Sequence, residues 1–188
     1  MTKSELRNKY MQKRKTLSED EVLSLSENIF LRFKEEFTLV ANQKVHCFLP
    51  IIKKNEVNTR FFIGYFFSKN IRVFVPKIDE GKMISVEIFP DTVLRTSLWG
   101  IPEPESTLDS GETEFDYVIT PLLYCDPAGN RVGYGKGFYD DLFKNINKDA
   151  EKIGVNFYAP EEEIEDFWEE DVPLDYLITP FETLSFGN

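Results

Sequence analysis

The sequence predicts an α/β fold: an open, mostly parallel β-sheet flanked by helices, with two further helices at the N-terminus. Three observations carry this reading. Short runs rich in Val, Ile and Phe alternate with segments of helical period. The chain has 188 residues, 41% of them apolar and 17 of them Phe, enough to bury one core. A glycine-rich string at residues 126–140 follows a strand-like run and precedes a short helical one. Open α/β sheets bind their ligands at such a position, beyond the carboxyl ends of the strands.

The elements follow in order. Residues 3–16 read as a helix on which Lys3, Arg7 and Arg14 share a narrow arc, flanked by Leu6, Tyr10 and Met11. Ser18 with Glu21 forms a capping box that opens a second helix. Val22, Leu25, Ile29 and Phe33 give that helix an apolar stripe, and it should end near Phe37. Lys44–Leu49 reads as a strand ending at Pro50. Glu56-Val-Asn-Thr59 opens a helix containing Phe61–Phe67. Arg72–Val75 is a strand stopped by Pro76, and Ile84–Phe89 is a further strand. Trp99–Glu105, with two prolines, reads as loop, and Ser106–Glu114 as a polar connector. Asp116–Pro121 is a buried-type strand continued by Leu122 and Leu123. A short helix runs from about Phe138 to Asn145. Lys152–Phe157 and Asp175–Thr179 are the last strands. The architecture expected is Rossmann-like and three-layered, a single domain over residues 1–188.

Composition excludes several function classes. No run of about 18 apolar residues exists, so no membrane span is expected. The first residues lack the apolar stretch of a signal peptide, and a cytoplasmic location is expected. Cys47 and Cys125 cannot make a cysteine-only zinc site, and Cys125, beside the glycine-rich loop, reads as a small buried residue at a strand end rather than a nucleophile. His46 is the one histidine and reads as a structural strand residue, which leaves no Ser-His-Asp or Cys-His constellation. The net charge of −11 argues against nucleic acid as partner. That charge is unevenly spread. Residues 1–16 hold six basic side chains and one acidic one, while residues 161–171 hold eight acids in eleven positions.

The string from Asp126 to Asp140 is the most informative segment. Glycine lets backbone N–H groups approach an anion closely, and successive N–H groups in a turn make a concave anion site. The helix that follows adds its N-terminus. Arg131 and Lys136 supply positive charge, and Asp140 is a carboxylate able to hold a divalent metal. Gly133-Tyr-Gly-Lys-Gly137 is neither a Walker A motif nor a dinucleotide fingerprint. Phosphate handling is the chemistry these residues suggest.

The whole string, Asp126-x-x-Gly-x-Arg-Val-Gly-x-Gly-x-Gly-Phe-Tyr-Asp140, resembles the signature of the 5-formyltetrahydrofolate cyclo-ligase family. Lys3-x-x-x-Arg7 resembles the family's opening helix. Phe48-Leu-Pro50 with Glu56-Val-Asn-Thr59 resembles its folate-side segment. Trp99-Gly-Ile-Pro-Glu-Pro104 resembles its central loop, and Asp171-Val-Pro-Leu-Asp175 with Ile178-Thr179 its C-terminal end. Several positions depart from that pattern: Glu170 stands where a histidine is common, the acidic stretch Tyr158–Trp168 lacks a frequent Gln, Phe138 replaces a frequent tyrosine, and Asp141 stands where a basic residue is common.

The resemblance implies an ATP-dependent conversion of 5-formyltetrahydrofolate into 5,10-methenyltetrahydrofolate, with release of ADP and phosphate and with Mg2+ as cofactor. By resemblance, Lys3, Arg7, Arg131 and residues Gly133, Tyr134, Gly135, Lys136, Gly137, Phe138 and Tyr139 are expected around ATP. Lys136 is expected over the transferring phosphoryl group, as the catalytic residue. Leu49, Glu56, Trp99, Tyr134 and Phe138 are expected to line the folate pocket, and Asp140 and Asp171 to hold Mg2+. The partners implied are ATP and the folate, with no nucleic acid and no membrane, and the protein is expected to be a monomer. A different class remains open at this point. A non-catalytic sugar-phosphate or folate binding module on a related α/β fold would also use a glycine loop with Lys and Arg.

Overall fold

The computed structural model describes residues 1–97, 100–168 and 170–187. The elements in chain order are α1 (Lys3–Lys15), α2 (Glu19–Glu36), β1 (Lys44–Cys47), α3 (Arg60–Ser68), β2 (Arg72–Asp79), β3 (Lys82–Ile88), β4 (Leu94–Thr96), β5 (Pro102–Pro104), β6 (Tyr117–Pro121), β7 (Tyr124–Cys125), β8 (Arg131–Val132), α4 (Phe138–Asn145), β9 (Glu151–Val155), β10 (Tyr176–Ile178) and β11 (Thr183–Ser185). A single 3-10 turn, Ile52–Lys54, lies between β1 and α3. Seven strands form one sheet in the order β11-β10-β9-β6-β1-β2-β3. The four central pairings are parallel, and only the outer pairs β2–β3 and β10–β11 are antiparallel.

Alternation along the strands divides the core between two faces. Val45, Cys47, Val73, Ile119 and Ile153 point to one face, where Ile29 and Phe33 of α2 and Phe62 and Phe66 of α3 cover them. Phe74 and Val118 point to the other, beneath Phe143 and Ile146 of α4 and its exit. Both N-terminal helices carry complete capping boxes, Thr2 with Glu5 and Ser18 with Glu21. Leu6 and Tyr10 bury one side of α1 against Leu123, Tyr124 and Val132.

The expected fold class holds, and the boundaries differ where pairing overrides local sequence. Pro76 does not stop β2, which runs to Asp79 opposite β3. β1 pairs with β2 only through Phe74, so beyond that point one side of β2 has no ladder to lose, and a residue without an N–H costs nothing there. The loop expected at 99–105 contains β5, paired with β4 in a separate ribbon. Lys77 Nζ donates to the carbonyls of Pro104 (2.8 Å) and Ser106 (3.0 Å) beside it. Leu122 and Leu123 do not continue β6; the chain turns there into the β7–β8 ribbon that carries the glycine loop. β1 ends at Cys47 rather than Leu49.

Candidate active site

From β1 the sheet runs to β2 on one side and to β6 on the other, so the order reverses between β1 and β6. The crevice beyond the carboxyl ends of these two strands is the favoured ligand position. Residues 48–59 enter it from β1, and the β7–β8 ribbon with the glycine loop enters it from β6.

The ribbon is built by Asp126, which is almost fully buried. Its carboxylate accepts from the N–H groups of Ala128 (2.9 Å) and Asn130 (2.8 Å) and from the Asn130 side chain (2.9 Å). The first residue of the signature is therefore a turn organiser. The loop then swings under α1. Arg7 Nε donates to the Gly133 carbonyl at 2.9 Å, and its guanidinium lies against Gly135. Gly135 has φ +83°, and a Cβ there would stand 3.4 Å from the Arg7 guanidinium, so glycine suits both the backbone and the approach. Lys136 is exposed, with no hydrogen-bond or ion-pair partner among the described residues. Gly137, φ +72°, caps α4 without a side-chain bond, which leaves the helix N–H groups free.

A second group of expected residues gathers around Arg131. Its Nη2 pairs with Asp140 at 2.5 Å, its Nη1 donates to the Val172 carbonyl, and its plane lies 4.7 Å from the Phe143 ring. Only 7% of the side chain is exposed. Arg131 thus braces α4 to residue 172. Asp171 lies within electrostatic reach of Arg131 and pairs with Lys3. Partial burial raises its carboxyl pKa, but hydrogen bonds from Lys3 and the Trp168 N–H outweigh that and hold it below the usual range. Among the described residues no cluster of three or more His, Cys, Asp or Glu side chains makes a protein-only metal cage. Two carboxylates from different segments converging beside a phosphate-type loop nevertheless fit Mg2+, which takes one or two carboxylates and completes its shell from phosphate and water.

The acidic segment turns out to strap α1. Glu162 accepts from Lys9 and from the Tyr10 hydroxyl (2.6 Å), and the Lys3 N–H donates to Asp166. Part of the charge asymmetry of the sequence is resolved within the molecule, with Glu162, Glu165, Asp166 and Asp171 bonded to the N-terminus and α1.

The folate-side residues meet more deeply. Glu56 is 4% exposed, and its Oε2 accepts the Ile51 N–H at 2.7 Å. Burial raises its carboxyl pKa, against the opposing pull of that bond, of Arg14, of Tyr134 and of Lys54. Tyr134, at the start of the loop, places a buried hydroxyl within reach of Glu56 and Arg14, with no partner at full hydrogen-bond geometry among the described residues, and Lys54 lies 4.0 Å above its ring. The Tyr139 hydroxyl is also buried and unpartnered; its ring meets His46 edge-on. Leu49 packs into the main core at the end of β1. Phe138 is half-buried and lines a cleft with Met83 and Ser85 of β3, on a different side of α4. Trp99 lies outside the described residues.

Sequence reading left Arg14 out of the site, although it shares the arc of Lys3 and Arg7. The structure buries it to 3% at the strand ends, beside Asn156 and Tyr158, which no motif indicated. Helical spacing was the available signal for Arg14. Asn156 had none, because its position depends on where β9 ends.

Comparison with known proteins agrees with this geometry. Residues 1–180 match the model of the 5-formyltetrahydrofolate cyclo-ligase family. A 5-formyltetrahydrofolate cyclo-ligase of Haemophilus influenzae is 30% identical over 125 residues, covering 63% of this chain and 67% of that one. The enzyme of the same name from Mycoplasma pneumoniae is 28% identical, covering 95% and 98%. The solution structure of Aquifex aeolicus 5,10-methenyltetrahydrofolate synthetase superposes with a TM-score of 0.83 at 29% identity, covering 100% of this chain and 94% of that one.

Proposed function

Since the chain belongs to the 5-formyltetrahydrofolate cyclo-ligase family and has that activity, we propose how its residues divide the work between ATP and the folate. The observation that carries the proposal is the placement of the 133–137 loop, which meets Arg7 through Gly133 and Glu56 through Tyr134.

On the nucleotide side, the loop amides and the N-terminus of α4 bind the phosphates. Arg7, already lying across the loop, adds charge to them, and Lys3 can exchange Asp171 for a phosphate oxygen. Lys136 projects unpaired from the loop and covers the transferring phosphoryl group. Asp140 and Asp171 would hold Mg2+, which neutralises phosphate charge when bound. Arg131 keeps Asp140 in position for that task.

On the folate side, Glu56 is a buried acceptor with bonding capacity to spare, suited to the adjacent N–H and amino donors of a pterin. Tyr134 closes the space between that ring and the loop. Trp99, Leu49 and Phe138 remain expectations for the walls of the pocket.

The chemistry follows from the formyl oxygen, which is a poor leaving group. The formyl oxygen attacks the γ-phosphorus of ATP, the γ-phosphorus–oxygen bond to ADP breaks, and an iminium phosphate results. N10 of the folate then attacks the formyl carbon and gives up its proton to water, the C–O bond breaks, and inorganic phosphate departs carrying the former formyl oxygen. No protein nucleophile is needed. The site has to align γ-phosphate and formyl oxygen and spread the developing charge, and it excludes water while the intermediate lives. The sugar-phosphate sensor alternative has no use for the Glu56 side of the crevice. We read the chain as one domain acting as a cytoplasmic monomer.

The test is direct. Purified protein with ATP, Mg2+ and 5-formyltetrahydrofolate should give a near-ultraviolet-absorbing methenyl product, and omission of ATP should abolish it. Folded protein that binds both ligands without conversion would refute the division of labour.

A further inference from the structure

Arg14 sits on the last turn of α1 and, unlike Lys3 and Arg7 on the same arc, turns fully inward. Its Nη2 donates to the Leu122 carbonyl and to Asn156 Oδ1 (3.1 Å), the first residues past β6 and β9. Its guanidinium lies 5.7 Å from the Phe157 ring. The backbone is held as firmly. The Asn55 side chain donates to the carbonyls of Arg14 (2.8 Å) and Leu17 (2.9 Å), so the helix end is tied to the residue that precedes Glu56.

Both side-chain bonds of Arg14 come from Nη2. Among the described residues Arg14 Nε is buried with no hydrogen-bond partner, and so are the hydroxyls of Tyr134 and Tyr158, the two tyrosines that feel its charge. A buried guanidinium with a spare N–H, beside a buried carboxylate with spare lone pairs, is a costly way to fill space. Apolar residues of similar volume would stabilise the fold as well or better. The unspent groups lie at the carboxyl ends of β6 and β9, beside the switch point of the sheet, where a polar ring would use them.

We infer that Arg14 is a substrate-positioning residue, a cation anchored on the ends of β6 and β9 that sets the charge and orientation of Glu56 and of Tyr134 toward the folate ring. The inference rests on the reading of Glu56 as the folate acceptor. Glu56 is faced by Arg14 from α1, by Lys54 from the 52–54 turn, by Tyr134 from the glycine loop and by Tyr139 from α4. Of the two cations, Lys54 also lies over the Tyr134 ring, while Arg14 is fixed on both helix and strand ends. Removing the Arg14 charge therefore makes Glu56 harder to ionise.

The experiment measures KM for 5-formyltetrahydrofolate and for ATP against pH in Arg14→Gln, Arg14→Lys, Glu56→Gln and the double variant Arg14→Gln/Glu56→Gln. Arg14→Gln should raise the folate KM roughly 10- to 100-fold, the loss of one charge-assisted contact, with little change in the ATP KM. It should also move the acid limb of the folate KM profile to higher pH. Arg14→Lys should return the limb toward the wild-type position, because the charge survives. In the Glu56→Gln background, which has no such limb, Arg14→Gln should add little. A merely structural Arg14 would raise both KM values together, leave the limb in place and add fully to Glu56→Gln, and that pattern overturns the inference. Should Arg14→Gln fail to fold, Arg14→Lys decides: a raised folate KM alone supports the inference, and equal changes for both substrates overturn it. If Glu56→Gln leaves the folate KM unchanged, the acceptor reading of Glu56 fails and the inference fails with it. If Glu56→Gln raises KM and only the Arg14 effects are missing, the acceptor reading stands alone.

Discussion

Replacing Glu56 by glutamine should stabilise the free protein and weaken the enzyme, two effects of opposite sign from one atom. In the free protein the carboxylate is 4% exposed and accepts one bond, from the Ile51 N–H at 2.7 Å. Arg14 and Lys54 attract its charge, yet burial outweighs them and the carboxyl pKa is raised from 4.5. The folded state therefore keeps its proton longer than the unfolded chain does. Stability falls as pH rises from 4.5 through the folded-state pKa, by about 1.4 kcal/mol for each pH unit separating the two. Above that window the folded protein carries the full cost of an underpaired buried charge. Glutamine keeps a carbonyl for the Ile51 N–H and carries no charge. The loss of attraction to Arg14 is already counted in the net shift, so the neutral side chain wins. At pH 7 the variant should gain about 1–3 kcal/mol, the scale of an incompletely satisfied buried group. For a chain of this size that is roughly 2–4 °C in Tm for each kcal/mol. The folate should suffer instead. A carboxylate receiving donors from a pterin contributes about 1.5–3 kcal/mol, and the glutamine NH2 opposes one of those donors, so KM should rise roughly 10- to 150-fold. Thermal unfolding from pH 4 to pH 8, with and without folate, reads both effects. A variant that melts lower than wild type at pH 7 and keeps the same pH slope would refute the reasoning.

Other perturbations test other parts. His46 is fully buried, both ring nitrogens lack partners, and its pKa is held down to about 3. Stability supplied by its neutral form is complete above pH 6.5 and is lost as pH falls, at about 1.4 kcal/mol per unit and roughly 5 kcal/mol in all by pH 3. His46→Leu should flatten that acid limb in a denaturant series; an unchanged slope would contradict the burial argument. Gly135→Ala meets a φ of +83° and the Arg7 guanidinium at 3.4 Å. It should cost about 1–3 kcal/mol of stability and raise the ATP KM more than the folate KM, and unaltered ATP kinetics would place the phosphates elsewhere. Lys136→Ala should lower kcat about 100- to 1000-fold with the folate dissociation constant preserved, since Lys136 touches only developing charge; parallel losses in both would deny it the phosphoryl role.

The parts of this molecule legible in the sequence are those decided locally. The capping box at Ser18 and Glu21, the apolar stripe of α2 and the glycine string with its following helix all appear where local chemistry puts them. Pro76 was misread because its tolerance depends on where β1 stops pairing, some thirty residues away in sequence. The partners of Arg131 were not legible either: its pairing with Asp140 and its contact with the Phe143 ring depend on how α4 packs back on the ribbon. Asn156 and Tyr158 carry no motif, and only the end of β9 brings them to Arg14. The acidic run was legible only as a concentration of charge, and its attachment to α1 required the fold.

The central claim is that the crevice brings the γ-phosphate of ATP to the formyl oxygen of the folate. Substrate labelled with 18O in the formyl group tests it most directly, with the inorganic phosphate from a single turnover analysed by mass. The account predicts one 18O in each phosphate released, formed in step with the methenyl product. Unlabelled phosphate, with the label recovered in water, would contradict it.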